Sequence, residues 1–295
     1  MTDAAVTADA PQRGPAANAE LALLLEVAGT PKPGNVDRAR DLADLRFEHF
    51  LAGAVGARPG LERAAGGAPV GEAFEAAVAG MSEQSGGNTQ FGCLLLLTPL
   101  VRAAAVDDRA LAPDGVAAVC EATAVDDAAG FYRAFEHVDV AVADPPEGMD
   151  ALDVRRGADA VPALREREVT LFDVMRESAS TDGDRDGDAN AREWVEGFPR
   201  TFRAAESIVD DDGPIVDRAA RAFLDLLGEA EDTLVRTQHG PDVAREVRER
   251  AARTDSLEEA DAWADELVER GINPGTTADV TAAALFVALE RGVSV

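Results

Sequence analysis

Lysine is almost missing from this sequence of 295 residues: Lys32 stands alone, and every other cationic side chain is an arginine. Cysteine is nearly as scarce, with only Cys93 and Cys120, far apart and in no C-x-x-C pair. A disulfide framework and a cysteine-based zinc site are therefore excluded, and two reduced thiols are expected. Aromatic residues make up 5% of the chain, so a core has to be assembled mainly from Ala, Leu and Val. No apolar run approaches the roughly 20 residues that cross a bilayer; the longest lies around Cys93 to Leu97. The N-terminus lacks the charged-then-apolar pattern of a signal peptide, and a cytoplasmic location is expected.

Positive charge is also in deficit. Asp and Glu total 56 against 28 Lys and Arg, a formal net charge of -28. Such a chain repels nucleic acid phosphates and anionic membranes, which removes both from the expected partners. Carboxylates in excess, with Arg replacing Lys, make a halophile-like surface. Salt at 1 M would shorten the Debye length to about 3 Å and screen the self-repulsion, so salt-dependent folding is expected.

What the sequence does have is helical periodicity. Residues 1–18 show none and read as a disordered lead-in, with structure beginning near Ala19 and a single domain over 19–295. Apolar residues then recur at helical spacing: Leu21, Leu24, Leu25 and Ala28; Phe47, Phe50, Leu51 and Ala54; Phe74, Ala77, Val78 and Met81. Residues 91–104 are apolar on nearly all sides, as in a helix surrounded by others. Further helices are predicted over 114–122, 126–136, 170–178, 191–208, 214–227, 242–252, 257–270 and an amphipathic 277–291. Strand alternation is weak and confined to 138–142. The fold class is all-α, a single multi-helix bundle with a central apolar helix, interrupted by a proline-containing stretch between His137 and Leu164.

Four segments carry groups suited to chemistry. After Glu26, the run Pro31-Lys32-Pro33-Gly34 leads to Asp37; its prolines and glycine make a stiff turn, and a lone ammonium there suits a phosphate as a point charge. Gly86, Gly87, Asn88, Thr89 and Gly92 precede the apolar helix, where backbone N–H groups can approach an anion; ordinary capping by Asn88 or Thr89 is the bland alternative. Asp232 and Arg236 have i, i+4 spacing, which is either a surface ion pair or a metal- or proton-binding Asp beside a phosphate-binding Arg. Gly275, Thr276 and Asp279 open the last helix; Thr276 and Asp279 fit a capping box, and Asp279 is alternatively a magnesium ligand facing a cleft.

In this order and at these distances, the four segments resemble the signature blocks of the triphosphoribosyl-dephospho-CoA synthase family, and the stretch from Arg192 through Glu196 to Pro199 is similar to a fifth. The resemblance implies an all-helical enzyme that transfers the triphosphoribosyl part of ATP to dephospho-CoA. It implies Lys32 and Arg236 on the phosphates, Asp232 and Asp279 on magnesium, Asn88 and Thr89 orienting ligand, and Glu26 or Asp37 as proton acceptor. Pro31, Gly34, Gly86, Gly87, Gly92, Gly275, Arg192 and Glu196 complete the expected substrate-binding set. Two departures stand out: Gln90 occupies the family's His position, and Leu234 replaces the Asn of Asp-Thr-Asn, so a divergent ATP-dependent relative acting on another acceptor is the variant reading.

A rival signal lies at Asp182, Asp184, Asp186 and Glu193, which with Gly187 satisfy EF-hand loop spacing for calcium. The alternative reading is thus a calcium-binding helical protein without turnover. Because this loop overlaps the fifth family block, Asn190 and Glu193 are also candidates for the active site.

Overall fold

The computed structural model describes residues 13–106, 111–142, 145, 148–181 and 187–295. Asp182, Asp184 and Asp186 lie outside the described residues, as does the lead-in up to residue 12. Order begins earlier than expected: helix α1 spans Pro15–Ala28. Pro15 at the first helical position costs no hydrogen bond, and Asn18 donates to Glu290 at 2.7 Å, tying the first helix to the end of the last.

Three helices follow α1 around the first half of the core: α2 (Phe47–Ala65), α3 (Val70–Met81) and α4 (Phe91–Ala104). With few aromatics, close packing has to come from small residues. Gly56 and Gly80 do this for α2 and α3, since a Cβ on either would run into the other's carbonyl. Helix α4 is buried along almost its whole length, from Phe91 to Ala103, as its sequence predicts. Each fully buried Leu there contributes about 1.5–3 kcal/mol.

Next come α5 (Pro113–Glu121), α6 (Val125–Ala134), 3-10 turns between Asp150 and Ala160, α7 (Val161–Glu166) and α8 (Leu171–Ala179). The helix predicted over 191–208 is two: α9 (Ala189–Glu196) and α10 (Pro199–Asp210). Gly197 and Phe198 both adopt positive φ, 78° and 62°, and break it. The break is held by Glu193, whose carboxylate accepts from the amides of Arg200 at 3.2 Å and Thr201 at 2.9 Å. Glu193 thus serves a helix start; the carboxylate expected to close a calcium loop is turned inward, 1% exposed.

The remaining helices are α11 (Ile215–Glu229), α12 (Thr233–His239), α13 (Pro241–Ala251), α14 (Leu257–Glu269) and α15 (Gly275–Glu290). Helices α11 to α14 close a smaller core around Phe223, Val247 and Trp263. The expectation of an amphipathic last helix is corrected: α15 is buried from Thr276 to Leu289 with Asp279 as the main interruption, and it packs on α1, α4, α10 and α11. The bundle therefore has two central helices, α4 and α15. Among the described residues there is no strand, so the alternation at 138–142 is loop, and no helix is long and apolar enough to cross a membrane.

Candidate active site

The N-terminal ends of α4 and α15 meet at a cleft of about 1230 Å³. Its floor is polar. Asp279, one turn into α15, accepts from the Cys93 thiol through Oδ1 at 3.2 Å and from the Asn190 amide through Oδ2 at 2.8 Å. Gly92 makes the approach possible, because a Cβ there would overlap the Asp279 carboxylate. The capping box expected for Asp279 does not form: α15 has no side-chain cap, and Thr276 instead accepts from the Leu234 amide at 3.3 Å.

The electrostatics of this floor follow from burial. Loss of solvent pushes the Asp279 carboxyl up to about 7; the Asn190 and Cys93 hydrogen bonds hold it down, while the charges of Asp232 and Glu26 push it further up. Burial also raises the Cys93 thiol well above its ordinary range, with Asp279 adding to the effect. Cys93 is thus a neutral donor rather than a nucleophilic thiolate. Glu26, at the end of α1, is raised by burial against the opposing pull of Lys32.

Lys32 is not presented to a ligand as expected. It is fully buried, ion-paired to Glu26 and bonded to Asn35 Oδ1 at 2.9 Å, with its ammonium 5.9 Å from the Phe223 ring centre. Its loop is pinned by Asp37, which accepts from the amides of Lys32 at 3.0 Å and Ala39 at 2.8 Å. Asp37 is an organiser of that turn, not a cleft residue. Pro31 and Gly34 are likewise structural: Gly34 has φ 80° and leaves no room for a Cβ against the Ile272 carbonyl. Only Glu26 and Asn35 carry this segment into the cleft, and Asn35 donates to Asn273 Oδ1 at 2.8 Å.

Asp232 is also displaced from its expected role. As the N-cap of α12 it accepts from the Val235 amide at 3.1 Å, and its other oxygen accepts from the amide and hydroxyl of Thr277, both at 2.7 Å. A carboxylate has about four lone-pair sites, and the Leu234 amide also bonds it. Magnesium shared by Asp232 and Asp279 does not fit this arrangement: Asp232 is filled by the protein and does not line the cleft. No three His, Cys, Asp or Glu side chains among the described residues converge as a metal cage.

Of the remaining expected residues, Asn88, Thr89, Gly92, Arg236 and Gly275 line the cleft. Asn88 Oδ1 accepts from the Phe91 amide at 3.1 Å, but the N-cap of α4 is Gln90, not Asn88 or Thr89, and Arg236 is paired with Glu231 at 2.8 Å. Gly86, Gly87, Arg192 and Glu196 stay outside the lining; Glu196 is exposed, and Gly86 packs against the His49 ring. Of the two departures from the family blocks, Leu234 faces the cleft, whereas Gln90 is buried beside it.

Sequence reasoning passed over several lining residues. Arg167 and Arg176 stand at the cleft from around α7 and α8; among arginines so numerous nothing in sequence singled them out. Phe91, Phe131 and Phe135 form an aromatic wall with centroids 4.9 to 6.3 Å apart. Their helical spacing at 131 and 135 is the only signal that joins two of them.

Residues 12–294 match the sequence pattern of the CitG family, ATP:dephospho-CoA triphosphoribosyl transferase. A crystal structure from Archaeoglobus fulgidus described as a triphosphoribosyl-dephospho-CoA synthase superposes with a TM-score of 0.67 at 24% identity, covering 82% of this chain and 99% of that one; that likeness is one of fold. No curated protein matches the sequence. With the family pattern running through nearly every helix described above, the chain belongs to the ATP:dephospho-CoA triphosphoribosyl transferase family and is a transferase of the triphosphoribosyl group.

Proposed function

We propose that the cleft takes ATP and dephospho-CoA together and exchanges the adenine of ATP for a hydroxyl of the acceptor, with Asp279 as the proton donor to the departing base. The observation that carries this is the placement of Asp279: a carboxyl at the cleft floor, pushed up to about 7, is protonated in part at neutral pH. In the transfer, the bond from the anomeric carbon to adenine N9 breaks and its electron pair passes into the purine ring. A proton from Asp279 neutralises the base at N7. The acceptor hydroxyl forms the new bond to the anomeric carbon and gives up its proton to Glu26, the one of the two candidate acceptors that lines the cleft. The triphosphate stays intact, and the acceptor's proton balances the one carried off by adenine.

Two further features support the reading. The cleft volume exceeds the roughly 300–1,000 Å³ of single-ligand pockets, as two large nucleotides require. Arg167, Arg176 and Arg236 give it cationic groups for phosphates, replacing the buried Lys32 in that duty. Arg167 is exposed and pairs with no described carboxylate. Magnesium would arrive with the ATP phosphates rather than on a two-aspartate site. The unpaired thiols and carboxylate-rich surface are in keeping with a cytoplasmic enzyme in a salty interior.

The test is to incubate the protein in high salt with ATP, magnesium and dephospho-CoA and assay free adenine. Adenine in step with acceptor consumption is the expected result; ADP or pyrophosphate instead would overturn the reading.

A further inference from the structure

Asn190 holds a group that the transfer steps leave unused. Its side chain is 6% exposed and lines the cleft. The amide faces Asp279 with its NH2, donating at 2.8 Å to Oδ2, an oxygen that accepts even when the proton sits on the carboxyl's Oδ1. The amide atom left over is Oδ1, which is buried and meets no donor among the described residues. An acceptor in that state costs about 1–3 kcal/mol unless something supplies a proton to it.

Two adjacent functions of opposite sense thus lie at the floor: a carboxyl that can donate and, buried beside it, an amide oxygen that accepts. The edge of adenine carrying N7 and the 6-amino group has the complementary order, an acceptor beside a donor. We infer that Asn190 is a specificity-determining residue that accepts from the 6-amino group of the purine through Oδ1 while Asp279 addresses N7, so that the site selects a 6-aminopurine triphosphate and rejects a 6-oxopurine. This rests on the reading of Asp279 as proton donor to the base. A 6-oxopurine would set its own oxygen against Oδ1, leaving two buried acceptors face to face. Sites that hydrogen-bond a polar substrate group reject analogues lacking it strongly, by about 10⁴–10⁵ in the best cases.

The experiment compares ATP with ITP, which differ at position 6 and share ribose and triphosphate. Binding is measured by calorimetry and turnover by release of free base, on the wild type and on Asn190→Ala and Asn190→Ser, each checked for folding by circular dichroism. The expected result is a wild-type preference for ATP of at least about a hundredfold in affinity or kcat/KM, about 2.7 kcal/mol, which shrinks to within about fivefold in a folded Asn190 variant. Equal affinity of the wild type for ATP and ITP overturns the inference, because an Oδ1 satisfied by a ribose hydroxyl or by the acceptor substrate would not discriminate. A folded variant that keeps the full preference overturns it as well. If ATP is preferred in binding and the preference falls in the variants while no adenine is released, the transfer reading fails and the recognition by Asn190 stands.

Discussion

Two aspartates meet the start of α15, Asp232 from the cap of α12 and Asp279 from α15 itself, and they have opposite fates. Asp232 bonds the backbone and hydroxyl of Thr277 and caps α12, so its oxygens are filled by the protein. Asp279, two residues beyond Thr277, meets only a thiol and one amide among the described residues and faces a cleft. Burial raises both carboxyls. Burial of a charge is therefore no mark of function by itself; the distinguishing feature is whether the fold has satisfied the group or left capacity for a ligand.

The sharpest way to break the contrast is to neutralise each in turn. Asp279→Asn should reduce adenine release by about 10²–10⁴-fold while thermal melting below pH 3.8, where the carboxyl is also neutral, stays close to wild type; near-normal turnover would remove Asp279 from the chemistry. Asp232→Ala should act on the fold, stripping an acceptor from the Val235 and Thr277 donors and costing about 2–4 kcal/mol in urea denaturation. Turnover per folded molecule should change little, and a selective loss of catalysis would return Asp232 to the site.

Gly92→Ala tests the contact that brings α4 against Asp279. Displacing the carboxylate by the added methyl should lower turnover about 10- to 100-fold, with the loss in kcat rather than in nucleotide affinity. The mildest probe is pH. As a proton donor, Asp279 must be protonated, so kcat/KM should fall about tenfold per unit above pH 7. The stability sign agrees: the carboxyl is raised in the fold from 3.8 to about 7, so its contribution is present below 3.8 and lost as pH rises toward 7. Asp279→Asn should flatten the slope of the melting temperature over that window, and an unchanged slope would remove the assignment.

Much of the fold was legible. The stripe through 91–104 is apolar on all sides, and α4 is buried accordingly. Helix α15 read as amphipathic because Thr276, Thr277 and Thr281 look polar in sequence; inside the bundle Thr281 donates to the Thr277 carbonyl at 2.8 Å and Thr277 to Asp232, so neither of these two needs water. The break between α9 and α10 did have a signal, Gly197 ahead of Pro199, a helix stop followed by a helix start. Asn190 was marked through its overlap with the fifth family block, whereas the arginines at 167 and 176 had no mark at all, since their place in the cleft depends on partners remote in sequence.

The sequence by itself determined the all-helical class, the family and the segments that approach the cleft, because helical period and motif order are local properties of the chain. Only the tertiary structure decided which charges are free to act. Lys32 and Asp232 became internal ties and Asp279 an available acid because hydrogen-bond saturation depends on groups such as Phe223, Thr277 and Cys93, distant along the chain and adjacent in space.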